Sequence, residues 1–220
     1  MLRLNFYKLN TKKEFKDFVR NILISSSDIE TGYIQALENK ENSLHAIFYL
    51  KILVEEKISD PFGGLEKITY FSYQKIEFFL YEINGKVLLI VKDQPKSLKS
   101  FINFLKKNDS LFFSVNNCNI DMQKLFFKNE FKVIKAKFIN VELSINSFAN
   151  IEINSRDNAL IDYNILKLNG GKKLVKVKIL ESFDDISFEC EFNDKATFSI
   201  KIDFINHNLI KYLFDSYILL

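Results

Sequence analysis

The clearest hydrophobic and polar patterning in the chain lies in residues 173–220. Across residues 174–180, Val175, Val177 and Ile179 alternate with Lys176 and Lys178. Ile186, Phe188, Cys190 and Phe192 then alternate with Ser187, Glu189 and Glu191, and Phe198, Ile200 and Ile202 with Thr197, Ser199 and Lys201. A period of two is the mark of a half-buried strand, because successive side chains point to opposite faces. Asn193-Asp194 suits a tight turn between the second and third segments, and residues 181–185 can join the first two. The pattern predicts an antiparallel meander with one apolar and one polar face. Lys176 and Lys178 can then pair across to Glu189 and Glu191. After Asn206, a residue type that caps helices, the period changes. Leu209, Ile210, Leu213 and Tyr217 fall at helical spacing and would cover the apolar side of the meander.

The rest of the chain divides by the same test. Leu2, Leu4 and Phe6 alternate with Arg3, Asn5 and Tyr7, predicting a first strand. Thr11 stands three residues before Glu14 as a capping box. Phe15, Phe18, Val19, Ile22 and Leu23 follow as a helical stripe that ends at Ser25-Ser26-Ser27-Asp28. Residues 33–37 read as a short strand. Residues 44–54 are apolar nearly all round, and their β-branched and aromatic content favours a buried strand. Asp60-Pro61-Phe62-Gly63-Gly64 is a turn or loop. Residues 68–73 and 76–83 read as strand, Asn84-Gly85 as a hairpin turn, and residues 87–91 as a return strand apolar on both faces. Pro95 precedes a helical stripe of Leu98, Phe101, Ile102 and Leu105. Residues 112–115 read as strand, 121–129 as helix and 131–143 as a long strand. After a loop, Ser155 can cap a helix that runs to Gly170-Gly171. The alternative is a strand at residues 165–168 turning through Asn169.

These elements predict an α+β fold of antiparallel sheets covered by helices. They fall into two similar β-α-β-β-β-α halves, residues 1–110 and 111–220, with the order of elements rather than residue identity repeating. Were the halves a duplication, the cleft between them would be the natural binding place.

Composition narrows the class without naming a function. The 220 residues are 47% hydrophobic and 27% charged with a net charge of +3, which argues against disorder and is too mild to mark a nucleic-acid binder. Two cysteines, Cys118 and Cys190, make neither a disulfide framework nor a zinc pattern. Cys190 belongs to an apolar strand face, whereas Cys118 can be a surface thiol. The first nine residues lack the apolar core of a secretion signal, and residues 46–54 are too short to span a bilayer. A cytoplasmic protein without membrane contact is the expectation.

Catalytic chemistry leaves little trace. Gly63-Gly64 and Gly170-Gly171 lack the residues of a phosphate loop. His45 and His207 have no ligand partner at metal spacing. Glu55 with Lys57, near Asp60, offers a carboxylate and lysine spacing that a metal-dependent nuclease uses, as does Glu130 with Lys132, a pattern that arises often by chance. No catalytic residue, metal or cofactor is marked. The basic positions Lys96, Lys99, Lys106, Lys107, Lys172 and Lys173 are the candidates for nucleic-acid contact. The arginines, Arg3, Arg20 and Arg156, are too scattered for bidentate recognition. Phenylalanine is abundant, at 23 residues. The chain ends Tyr217-Ile218-Leu219-Leu220, an apolar segment that must dock on its own core or on a partner. The leading expectation is a non-catalytic interaction or adaptor subunit of an intracellular assembly, with a protein partner. Nucleic-acid binding through the lysines is the alternative, and a cryptic metal nuclease comes third.

Overall fold

The computed structural model of the chain describes residues 1–25, 31–59, 61–106, 112–122, 132–144, 146–165, 173–202 and 206–218. They form two compact units, Lys8–Asn116 and a second made of Met1–Tyr7 with Asn117–Leu220. Strand β1 (Leu2–Thr11) gives its first part to the second unit and its last residues to the first.

In the Lys8–Asn116 unit, β2 (Gly32–Lys40), β3 (Ser43–Ser59), β4 (Leu65–Ile83) and β5 (Lys86–Lys92) form an antiparallel meander in chain order. The β4–β5 turn is Asn84-Gly85, with φ of 51° and 70°. Both turn residues take positive φ, as the tight hairpin read from Asn-Gly requires. Residues 87–91 are buried on both faces. Helices α1 (Phe15–Ser25) and α2 (Lys99–Lys106) complete the unit with β6 (Phe113–Asn117). The core is aromatic. Phe48 lies 5.3 Å from Phe101 and 4.7 Å from Phe104, ring centre to ring centre, and Phe78 lies 4.9 Å from Phe101. Phe18 of α1 meets Phe113 edge-on at 5.5 Å. Thr11 Oγ1 accepts from the backbone N–H of Lys13, so the hydroxyl closes a local turn ahead of α1.

In the second unit the strand order is β1-β11-β10-β9-β7-β8. It uses β7 (Lys132–Ser144), β8 (Ser147–Asn154), β9 (Lys173–Phe183), β10 (Ile186–Asn193) and β11 (Thr197–Ile200). The meander of β9, β10 and β11 is antiparallel, as the alternation predicts. Asn206 caps α4 (His207–Tyr217) by accepting the Leu209 N–H at 2.8 Å. The α4 stripe lies over the apolar face, with Tyr217 ring to ring with Phe192 at 4.8 Å and Phe198 at 6.1 Å. The Tyr217 hydroxyl donates to Glu181 Oε2 at 2.5 Å. On the polar face Lys176 pairs with Glu191 at 2.6 Å, and Lys178 and Lys201 share Glu189 at 2.7 and 2.6 Å.

The fold class departs from the sequence expectation. The protein is mostly antiparallel β-sheet, 61% strand and 18% helix, and not an arrangement of sheets covered by helices in two β-α-β-β-β-α halves. Two causes are visible. Residues 147–154, read as loop, form β8: Ala149, Ile151 and Ile153 alternate with polar residues and pair with Val141, Phe138 and Ala136 of β7. The helix expected from Ser155 to Gly171 is only α3 (Ala159–Ile165) among the described residues, and Ser155 Oγ accepts from Asp157 in a turn ahead of it. The helix expected at residues 121–129 and the strand alternative at 165–168 fall largely or wholly outside the described residues, as do Ser26, Ser27 and Asp28.

Candidate functional site

Strands β3 and β4 are the longest in the chain, and their pairing runs from Ser43 opposite Tyr81 to Ser59 opposite Leu65. Their other neighbours stop early. Pairing of β2 with β3 ends at Gly32 opposite Leu50, and that of β5 with β4 ends at Glu77 opposite Lys92. The Lys51 N–H still reaches the Thr31 carbonyl at 3.1 Å. Beyond these points, residues 52–59 pair only with β4, and residues 65–76 only with β3, among the described residues. Sequence reading treats 68–73 and 76–83 as separate strands; they are one. At about 3.3 Å per residue, the exposed part of β4 is about 35 Å long.

Alternation sorts this ribbon into two faces. Ile52, Val54, Glu56 and Ile58 stand opposite Ser72, Tyr70, Ile68 and Glu66. Upstream, the same face is the buried one of Phe48 and Phe78, where α2 supplies the cover. The other face carries Leu53 opposite Phe71, Glu55 opposite Thr69, Lys57 opposite Lys67 and Ser59 opposite Leu65. All of residues 65–75 are exposed, and Ile52, Leu53 and Ile58 with them. At the tip Phe62 is 97% exposed.

Polar contacts hold the ribbon together. Glu55 pairs with Lys67 at 2.9 Å, and the Tyr70 hydroxyl donates to Glu56 at 2.7 Å. That hydrogen bond to a carboxylate holds the Tyr70 hydroxyl above its usual range. The Lys51 ammonium sits 4.1 Å from the centre of the Phe71 ring, a cation–π contact. A two-stranded hairpin is marginal by itself in water, and this one carries a cluster of large apolar side chains that are exposed.

The residues singled out from sequence are distributed otherwise. Lys96 and Lys99 are exposed before and at the start of α2, and Lys106 is exposed at its end with its ammonium 5.7 Å from the Phe113 ring centre. Lys173, in the other unit, pairs with Asp194 at 2.8 Å. Lys107 and Lys172 lie outside the described residues, as do Leu219 and Leu220. Tyr217 and Ile218 are buried. Glu55 and Lys57 share a ribbon face, with Glu55 held by Lys67, and Asp60 lies outside the described residues.

His45 is stacked on Phe79 at 4.2 Å and its Nε2 is 3.0 Å from Glu77 Oε1. Lys92 reaches the second oxygen at 2.8 Å. Burial pushes the Glu77 carboxyl up, but the hydrogen bonds from Lys92 and His45 outweigh it and hold the group below the usual carboxylate range. His207 is exposed at the start of α4. Cys118, expected as a surface thiol, is buried, and so is Cys190, whose thiol burial pushes up. Among the described residues no group of three or more His, Cys, Asp or Glu side chains is placed to hold a metal ion. No described helix is long and apolar enough to cross a membrane.

The sequence carries a signal for the exposed ribbon. Residues 52–58 and 65–73 carry more large apolar side chains than their charged neighbours and the Pro61-Phe62-Gly63-Gly64 tip suggest for a surface hairpin. No known family model matches the chain, and no curated protein is significantly similar to it.

Proposed function

We propose that the chain is a non-catalytic interaction subunit of a larger cytoplasmic assembly, and that the β3–β4 ribbon is the element that docks. One observation carries this reading: Leu53, Phe71, Tyr73, Ile68 and Tyr70 are exposed on strands that no third strand flanks among the described residues. Large aromatic and aliphatic side chains of this kind are the usual anchors of an interface. The Glu55–Lys67 ion pair and the Tyr70–Glu56 hydrogen bond join the two strands of the ribbon and leave the apolar groups outward. The buried thiols accord with a reducing compartment.

The test is comparative recovery of partners from the native host. Full-length chain and the double variant Leu53→Ser/Phe71→Ser are purified side by side, and what accompanies each is quantified by mass spectrometry. Selective loss of partners from the variant, with far-UV circular dichroism unchanged, is the expected result. Equal recovery by both rejects the ribbon as the docking element. The second reading, nucleic-acid binding, is supported by the exposure of Lys96, Lys99 and Lys106. It requires retention on nucleic acid that falls steeply with salt and is lost on Lys99→Glu/Lys106→Glu.

A further inference from the structure

The part-buried lysines of the Lys8–Asn116 unit fall into two groups among the described residues. Lys92 holds Glu77 at 2.8 Å, and Lys51 lies over the Phe71 ring. Lys8, Lys13 and Lys86 do neither. No described carboxylate lies within ion-pair distance of them, and no described ring lies beneath them. All three line one cavity of about 280 Å³. It is bounded by the end of β1 and the turn ahead of α1 on one side, and by the β4–β5 hairpin on the other. Every residue on its wall belongs to the same compact unit.

We infer that this cavity binds a small phosphate monoester in its dianionic form. Charge is the first reason. Glu82 is the carboxylate on the wall, and no described cation comes within ion-pair distance of it either. Three lysines less one glutamate leave the lining at a formal charge of +2. A phosphate monoester carries about −1.5 to −2 at pH 7 and three strong acceptor oxygens, whereas a phosphodiester or a carboxylate carries a single charge. A cleft lined by one sign of charge concentrates the opposite sign inside it.

Donor type is the second reason. Lysine stems are long enough to bring three ammonium groups to one ligand, and each ammonium only donates. Lysine engages phosphate as a point charge, while the planar fork that best grips a carboxylate is arginine's, and no arginine is on this wall. Size is the third. The cavity falls below the roughly 300–1,000 Å³ of sites for drug-sized ligands, so it suits phosphate with a short organic group. Leu9, Phe15 and Val87 give that group an apolar wall. The larger cavity beside α1, of about 510 Å³, offers less charge, because its Lys16 and Lys40 already hold Glu41 and Glu38. The site goes beyond the docking role of the ribbon and does not depend on it.

The experiment titrates the full-length chain at low ionic strength with inorganic phosphate, methyl phosphate and dimethyl phosphate, followed by calorimetry and amide chemical shifts. The first two should saturate one site with Kd of about 1 mM or tighter. Dimethyl phosphate, a diester, should bind at least tenfold more weakly. Lys13→Gln and Lys86→Gln should each weaken methyl phosphate binding at least tenfold with the circular dichroism spectrum unchanged. Lys12→Gln removes the same charge from an exposed neighbour outside the cavity and should change binding less than twofold. Glu82→Gln removes the opposing charge and should tighten binding, a readout that does not depend on the lysine variants folding. Vesicles of phosphatidylcholine with and without phosphatidic acid identify the source of the monoester. Retention on phosphatidic acid that Lys86→Gln abolishes assigns it to a lipid headgroup; no retention assigns it to a free small molecule.

The inference is overturned if neither phosphate nor methyl phosphate saturates a site, or if dimethyl phosphate binds as well as the monoester. It is equally overturned if Lys12→Gln loses as much as Lys86→Gln, or if Glu82→Gln binds no more tightly than the unmodified chain. None of these outcomes bears on Leu53→Ser/Phe71→Ser, so the site and the ribbon stand or fall separately.

Discussion

Leu53 stands opposite Phe71 across the β3–β4 ribbon, and each side chain is more than half exposed. Farther along the same two strands, Phe48 and Phe78 are completely buried. They lie on the opposite face, to which α2 supplies Phe101 and Phe104, whereas the face of Leu53 and Phe71 is left exposed. Burial, not strand pairing, should therefore set the stability each position contributes. Phe78→Ala should cost about 3–5 kcal/mol. Leu53→Ser and Phe71→Ser should each stay within about 0.5 kcal/mol of the unmodified chain, as exposed positions do. Urea unfolding of the three variants decides it, and a loss above about 2 kcal/mol for Leu53→Ser would mean that the ribbon is packed in solution.

Tyr217 joins α4 to the meander in two ways that substitution can separate. Its ring packs on Phe192 and Phe198, and its hydroxyl bonds to Glu181. Tyr217→Phe keeps the ring and removes the donor, which should cost about 1–2 kcal/mol. Tyr217→Ala removes both and should cost about 3–5 kcal/mol. Equal losses in the two variants, measured by denaturant titration, would assign the whole effect to the hydroxyl and contradict the packing account.

Much of both units was legible in the chain. Asn206 and the stripe of Leu209, Ile210 and Leu213 specified α4 because a cap and a helical period are local signals. Asn84-Gly85 specified its turn for the same reason: the backbone requirement lies in the two residues themselves. The failures are non-local. Ala149, Ile151 and Ile153 alternate over too short a span to declare a strand until Val141, Phe138 and Ala136 are placed beside them. The pattern predicts strand over residues 44–54 and 68–73 of the ribbon, but it does not reveal whether a helix will arrive to cover the face. Ile68 and Tyr70 look no different in sequence from Ile76 and Phe78. Which pair is exposed depends on how far α2 extends along the sheet, a relation between distant segments. The burial of Cys118 is non-local in the same way, since nothing in Asn116-Asn117-Cys118 signals it.

Glu189 links the polar face of the meander to acid stability. Hydrogen bonds from Lys178 and Lys201 hold its carboxyl down at about 2, against an ordinary value of 4.5. A carboxylate whose folded value is depressed stabilises the fold above its unfolded value, and that contribution disappears as pH falls toward the folded value. The window here runs from about pH 4.5 down to about pH 2. Its share is modest, because the two ion pairs are partly exposed and salt screens them. Glu189→Gln keeps the shape and removes the titration. Thermal melts of both proteins between pH 7 and pH 2.5 should show the unmodified chain losing more stability across this window than the variant, with the gap narrowing in high salt. Parallel curves would show that Lys178 and Lys201 do not hold Glu189 in solution.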